Sequence, residues 1–215
     1  MEDTLSIQQL RDMFLYIAQK VIDSENFLTE IDSKIGDGDH GFGMALGFKA
    51  VSKELEGKSF NTVEEIFQTV GMTLLDTMGG ASGVLFGTMF ISGVVNQERH
   101  ENADLSILAS VFRRSLEAIK RRGRANVGDK TMVDALEPAV MGLEEGVKNG
   151  LSLKKGLQMA AEGAKKGVEC TKQYIARFGR AKSYGAKSLG VPDAGATSVW
   201  IIFQAMADWT EKNIK

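Results

Sequence analysis

Cysteine is almost absent from this 215-residue chain, and the lone Cys170 excludes a disulfide framework and a thiolate metal cluster. Its simplest role is that of a small core residue in a reducing compartment. Charge of one sign is missing too. The 26 Lys and Arg are interspersed with 28 Asp and Glu for a net charge of −2, leaving no basic surface for nucleic acid or an anionic membrane. No apolar run approaches membrane-spanning length, and Met1-Glu2-Asp3 lacks the basic and apolar regions of a signal peptide, so a cytoplasmic location is expected. Proline occurs only twice, and no Pro-rich, Ser-rich or low-complexity linker divides the chain. One domain spanning 1–215 is therefore expected, with a well-buried core. No useful stretch alternates at period two, which leaves no strand to expect.

What is present is helical periodicity. Ser6 and Gln9 form a capping-box pair ahead of Ile7, Leu10, Met13, Phe14, Ile17 and Val21, an amphipathic helix ending near Ser24. Further helices are expected over about 42–55 (Leu46, Phe48 and Val51 inward), from Asn61 or Thr62 to Gly79, on to about Asn96, and from Asp104 to the basic patch Lys120, Arg121, Arg122 and Arg124. A sixth opens at Gly128, a seventh covers about 152–177 with Tyr174 on its apolar side, and the last runs from about Ala196 to Asn213. The expected architecture is all-α, with eight helices and no sheet.

The densest chemistry lies in Ile31 to Gly43, I-D-S-K-I-G-D-G-D-H-G-F-G. Asp32, Asp37 and Asp39 crowd three carboxylates together beside one of two histidines, and such carboxylates repel one another unless a cation sits among them. A hard divalent ion is implied, Mg²⁺ before Ca²⁺. The literal G-x-G-x-x-G over Gly36, Gly38 and Gly41 is rejected because no β-run precedes it and Asp37 and Asp39 would repel a pyrophosphate. An EF-hand fails because Phe48 stands where a bidentate Glu is required.

Three more glycine-rich or polar turns precede helices. Gly79 to Gly83 leads into an apolar helix and fits either a phosphate cradle or close helix packing. Gly123 to Met132 contains Lys130-Thr131, but Asp129 replaces the glycine a P-loop needs. Phe178 to Ala196 reads as a long Gly-, Lys- and Ser-rich loop of the kind that often carries function. If the helices alternate up and down, all of these turns share one rim, the layout of a nucleotide site.

These stretches together, namely Ile35-Gly36-Asp37-Gly38-Asp39-His40-Gly41, Gly79-Gly80-Ala81-Ser82-Gly83, Gly128-Asp129-Lys130-Thr131-Met132 and Asp193-Ala194-Gly195-Ala196-Thr197-Ser198, resemble the DhaL family, the nucleotide-binding L subunit of dihydroxyacetone kinase. The resemblance implies an antiparallel eight-helix barrel binding ADP or ATP at one rim through two Mg²⁺ ions. Asp32, Asp37 and Asp39 match the metal ligands. His40, Gly41, Phe42 and Gly43 would touch the phosphates, Ala81 and Ser82 match the phosphate-binding turn, Gly123 and Met132 would line the base pocket, and Thr131 would also bind the nucleotide. Arg180, Asp193, Ala194 and Gly195 would close over the nucleotide. No residue stands out as a substrate-activating base. The implied activity is phosphoryl transfer from bound nucleotide to dihydroxyacetone or a related short ketose held by a partner K subunit, with a phosphohistidine carrier of the phosphotransferase system recharging the ADP. An ATP-exchanging ketose (tetrulose) kinase subunit is the alternative, and a nucleotide sensor that binds a transcriptional regulator is a third reading. The nucleotide domain of fatty-acid kinases shares the metal motif. Val84 stands where the family usually has proline, and Val191-Pro192 replaces a His-Gln pair.

Overall fold

The structure, a computed structural model, describes residues 4–214; Met1-Glu2-Asp3, read above for targeting, and Lys215 lie outside the described residues. Ser6 caps α1 (Ile7–Asp23): its hydroxyl accepts from the Gln9 N–H while the Gln9 side chain returns to the Ser6 N–H, a reciprocal cap contributing about 1 kcal/mol. Then come α2 (Glu25–Ile35), α3 (His40–Glu56), α4 (Val63–Thr77), α5 (Gly80–Ile91), α6 (Leu105–Gly123), α7 (Val133–Lys148), α8 (Leu153–Thr171) and α9 (Ala194–Asn213). The described residues thus hold nine α-helices, and not the expected eight. The extra one is α2, which buries Leu28, Ile31 and Ile35 and moves Asp32 from a loop into a helical last turn.

Other expectations also change. Leu5–Ser6 pairs antiparallel with Asn102–Ala103, a two-residue ladder too short for a period-two signal. α5 ends at Ile91, and α7 starts at Val133 because Gly128 and Lys130 hold positive φ angles of 96° and 61°. α8 stops at Thr171, leaving Tyr174 outside it, and the 178–196 loop contains a 3-10 segment, Arg180–Ser188, bent at Gly185. Leu46 is 44% exposed while Phe48 and Val51 are buried, and Cys170 is exposed and no part of the core.

Eight helices close on themselves in packing: α1 on α3, then α4, α5, α6, α7, α8 and α9 in turn, with α9 back on α1; α2 packs chiefly on α3. A chain of edge-on and tilted aromatic contacts fills the middle. Phe14 meets Phe67 at 5.0 Å between ring centroids, Phe67 meets Phe112 at 5.9 Å, and Phe112 meets Phe203 at 4.9 Å, so α1, α4, α6 and α9 share one core. Burying each ring contributes about 1.5–3 kcal/mol. No helix among the described residues is long and apolar enough to cross a membrane.

Candidate functional site

If helices that follow one another around the ring pack antiparallel, α3, α5, α7 and α9 begin at the same end. Side chains at those beginnings do meet. His40, the first residue of α3, places Nε2 2.8 Å from the Ser198 hydroxyl near the start of α9 and Nδ1 3.5 Å from the Ser82 hydroxyl at the start of α5. A Cβ on Gly195 would lie 3.5 Å from that of Met132, which joins the start of α9 to that of α7, and Gly123 lies across from Leu85 of α5. Four helix amino termini therefore converge, each carrying a partial positive charge, although the start of α7 spends its own N–H groups on Thr131, Met132 and Asp134. This is an end suited to an anion.

The acid cluster stands beside them. Asp32, Asp37 and Asp39 each offer a carboxylate oxygen, and these oxygens lie within 4.8 Å of one another. The chain holds them there through its own backbone: Asp32 Oδ2 accepts from the Gly38 N–H (2.9 Å) and the His40 N–H (3.4 Å), closing the loop around it. Gly38 makes this possible, since its φ of +77° is one that a side chain would strain. Partial withdrawal from water, followed by the Asp37 and Asp32 charges, holds the Asp39 carboxyl above its usual pKa although the residue keeps much solvent exposure, and Arg180 opposes the shift. Three hard oxygen donors at this spacing, mutually repelling, fit a divalent cation.

Arg180 comes from the 3-10 segment, its Nε 2.9 Å from Asp37 Oδ2, and the Tyr184 hydroxyl donates to the Gly36 carbonyl at 3.3 Å. Both links are exposed, with the Arg180 side chain 79% open to water, so the segment lies over the acid cluster as a lightly latched lid. His40 is buried, and burial lowers its pKa despite Asp32 and a backbone contact with Ala194, so it bridges the two hydroxyls as a neutral imidazole.

Not every expected residue faces open space. Gly41 packs α3 onto α2, Met132 and Ala194 are buried, and Thr131 spends its N–H on Asp134 Oδ2 (2.7 Å). Phe42, 61% exposed, and Gly43, with nothing nearby, stand free at the mouth, as does Ala81. A groove of about 660 Å³ between α3 and α4, lined by Lys53, Phe60 and Met72, holds none of these residues.

Sequence reasoning missed the groups that stiffen the turn ahead of α7. Asp134 accepts from the Gly128 N–H (2.6 Å) as well as from Thr131, and Asp129 accepts from Asn126 N–H (2.8 Å) and Arg177 (3.2 Å). An aspartate in the first turn of a helix that follows a glycine turn was the available signal. Asp193 caps α9 through the Ala196 N–H at 2.8 Å.

Although Asp193 retains some surface, burial of its carboxyl pushes the pKa up to about 7, with the Ala196 N–H and Lys130 opposing and the Asp134 and Asp32 charges adding. The folded chain then keeps a proton that the unfolded chain releases above 3.8, so stability from this group falls as pH rises from there towards 7, and the full cost of ionising it remains above 7. Asp193→Asn keeps an oxygen for the cap and removes the titration. In thermal melts the Tm of the variant relative to the parent should rise by about 5–10 °C between about pH 5 and about pH 8, and an equal difference at both pH values would contradict the assignment.

Fold and site together define an all-helical domain in which converging helix amino termini face a cation-ready acid cluster under a lid. Residues 34–208 match the DAK2 domain model. The chain is 38% identical over 181 residues to the ADP-binding subunit DhaL of the PEP-dependent dihydroxyacetone kinase of Escherichia coli, covering 84% of this chain and 86% of that one. It is 36% identical over 190 residues to the corresponding PTS-dependent subunit of Lactococcus lactis, with 88% and 91% covered. With the L-erythrulose kinase of Pectobacterium atrosepticum it shares 35% over 188 residues, covering 84% of this chain but 31% of the kinase. The crystal structure of the C. freundii dihydroxyacetone kinase in complex with AMP-PNP and Mg²⁺ superposes with a TM-score of 0.71 at 27% identity, covering 95% of this chain; the chain spans only 34% of that molecule. The chain belongs to the DAK2 domain family.

Proposed function

We propose that this chain is the ADP-binding L subunit of a dihydroxyacetone kinase, holding Mg-nucleotide at the rim and passing phosphate to a short ketose on a partner K subunit. The observation that carries this reading is the trio Asp32, Asp37 and Asp39, with oxygens within 4.8 Å of one another, set where four helices begin. Carboxylates alone would repel a diphosphate. Bound magnesium, two ions in this reading, would neutralise the carboxylates and the charge on the transferring oxygens.

The chain's own residues then position and enclose. Asp32, Asp37 and Asp39 hold the cations, the N–H groups at the starts of α3 and α5 with Ala81 and Ser82 receive phosphate oxygens, and Gly123, Thr131 and Met132 border the base. Arg180 and the Asp193-Ala194-Gly195 turn close the site against water. Arg180→Ala removes only an exposed ion pair. Its Tm should stay within about 1 °C of the parent while affinity for Mg-ADP falls roughly three- to tenfold, measured by calorimetric titration; unchanged affinity would separate the lid from the nucleotide.

Recharging of resident ADP by a phosphohistidine carrier is supported by the subunits whose length this chain nearly spans, which are PEP- or PTS-dependent. The similarity to L-erythrulose kinase favours the second reading, an ATP-consuming tetrulose kinase domain. One experiment separates them: extensive dialysis of the purified chain, then assay of ketose phosphorylation with a K subunit and either the phosphorylated carrier or ATP. Retained nucleotide and activity with the carrier support the relay, and ready loss with activity on ATP alone supports the exchanging kinase. Retained nucleotide with no transfer from any donor points to a sensor that binds a transcriptional regulator.

A further inference from the structure

Resting on this nucleotide reading, we propose that Lys130 is a positioning residue, a strut between the base-side turn and the exit of the lid that sets how long nucleotide stays bound. In a P-loop the lysine reaches phosphates, but here it does not. Lys130 is 1% exposed, and its ammonium donates to the Thr171 carbonyl at the end of α8 (2.6 Å) and to the Val191 carbonyl where the lid ends. Thr171 extends the tie: its hydroxyl accepts from the Asp193 N–H (2.9 Å), and Asp193 caps α9. One side chain thus fixes three segments.

The anchoring point is itself rigid. Lys130 sits at φ +61°, a conformation rare for a residue with a side chain, kept in place by its neighbours. On one side Asp129 binds Asn126 and Arg177, and on the other Thr131 binds Asp134. The Asp193 and Asp134 carboxyls face the ammonium, whose pKa burial lowers, and they oppose that shift when ionised. By contrast, the tip of the lid meets the acid cluster through the exposed Arg180–Asp37 and Tyr184–Gly36 links, while nearer its exit Ser188 Oγ accepts from the Ala176 N–H (3.0 Å) and the Gly190 N–H donates to the Lys172 carbonyl (2.8 Å). Positive-φ glycines at 179, 185 and 190 leave it free to bend. A flap latched weakly at its tip and firmly at its exit swings from that exit, so its opening rate depends on the strut.

Lys130→Met removes the ammonium while filling its path, and Thr171→Val removes only the hydroxyl that receives Asp193. Tryptic cleavage at the exposed Lys182 and Lys187, without ligand, reads lid opening; stopped-flow release of a fluorescent Mg-ADP analogue reads residence. For Lys130→Met we expect cleavage about fivefold faster or more and release about tenfold faster, with association within about threefold and an unchanged Mg²⁺ requirement. Thr171→Val should move both rates the same way by less. General destabilisation would not confine cleavage to the lid or leave association intact. Parental cleavage and release rates in a folded Lys130→Met chain would overturn the strut. Should that variant lose its helical signal, Thr171→Val decides, and unchanged lid cleavage there overturns it. If the parent chain binds no Mg-ADP, the functional reading fails while the cleavage comparison still judges the strut.

Discussion

Asp37→Asn or Asp39→Asn should lower Mg-dependent affinity for ADP by roughly a hundredfold or more while leaving the helical circular dichroism intact. The two residues lie in the exposed 36–39 connection and cover none of the aromatic core, so the fold loses little. What the substitution removes is charge. An amide still offers an oxygen but cannot offset a dication, and a metal held by three anionic donors is far less tightly held by two. Replacing Asp37 also frees Arg180, which is a minor loss because that pair is exposed. Calorimetric titration with Mg-ADP checks the prediction, and parental affinity would remove the acid cluster from the site.

Gly41→Ala should be the most damaging small substitution near the site. Its new methyl would sit 2.2 Å from the Glu25 carbonyl and 2.3 Å from the Thr29 hydroxyl, and the first of these is helix backbone that no rotamer change can move aside. α2 must then separate from α3, taking Asp32 away from the Gly38 and His40 N–H groups that hold it. Overpacking of this kind costs about 1–3 kcal/mol or more, which in a chain of this size lowers Tm by roughly 5–10 °C. Nucleotide affinity should fall with it. A variant melting within a degree of the parent would mean that the two helices are less tightly seated than these distances require.

Much of this was legible from residue spacing. Periodic apolar positions located most of the helices because each buries one stripe against a shared core, and Ser6, Thr62 and Asp104 marked starts because their side-chain oxygens satisfy free N–H groups. α2 escaped notice because the acid–glycine motif overlaps its last turn, although Leu28, Ile31 and Ile35 already had helical spacing. Leu46 was misplaced since an apolar residue on a helix need not face inward, and here it shares the outer face with Phe42. The acid trio could be picked out because like charges close in sequence demand a reason. Lys130, Thr171 and Ser198 could not, since their roles depend on partners 41 to 158 residues away, which only the packed helices bring together.

The most direct measurement is a crystal structure of the chain grown with Mn²⁺ and ADP, read by anomalous scattering from the metal. Peaks among Asp32, Asp37 and Asp39, with the diphosphate lying between them and the starts of α3 and α5, are the result expected. Metal or nucleotide bound elsewhere, with those three carboxylates turned to solvent, would contradict the account.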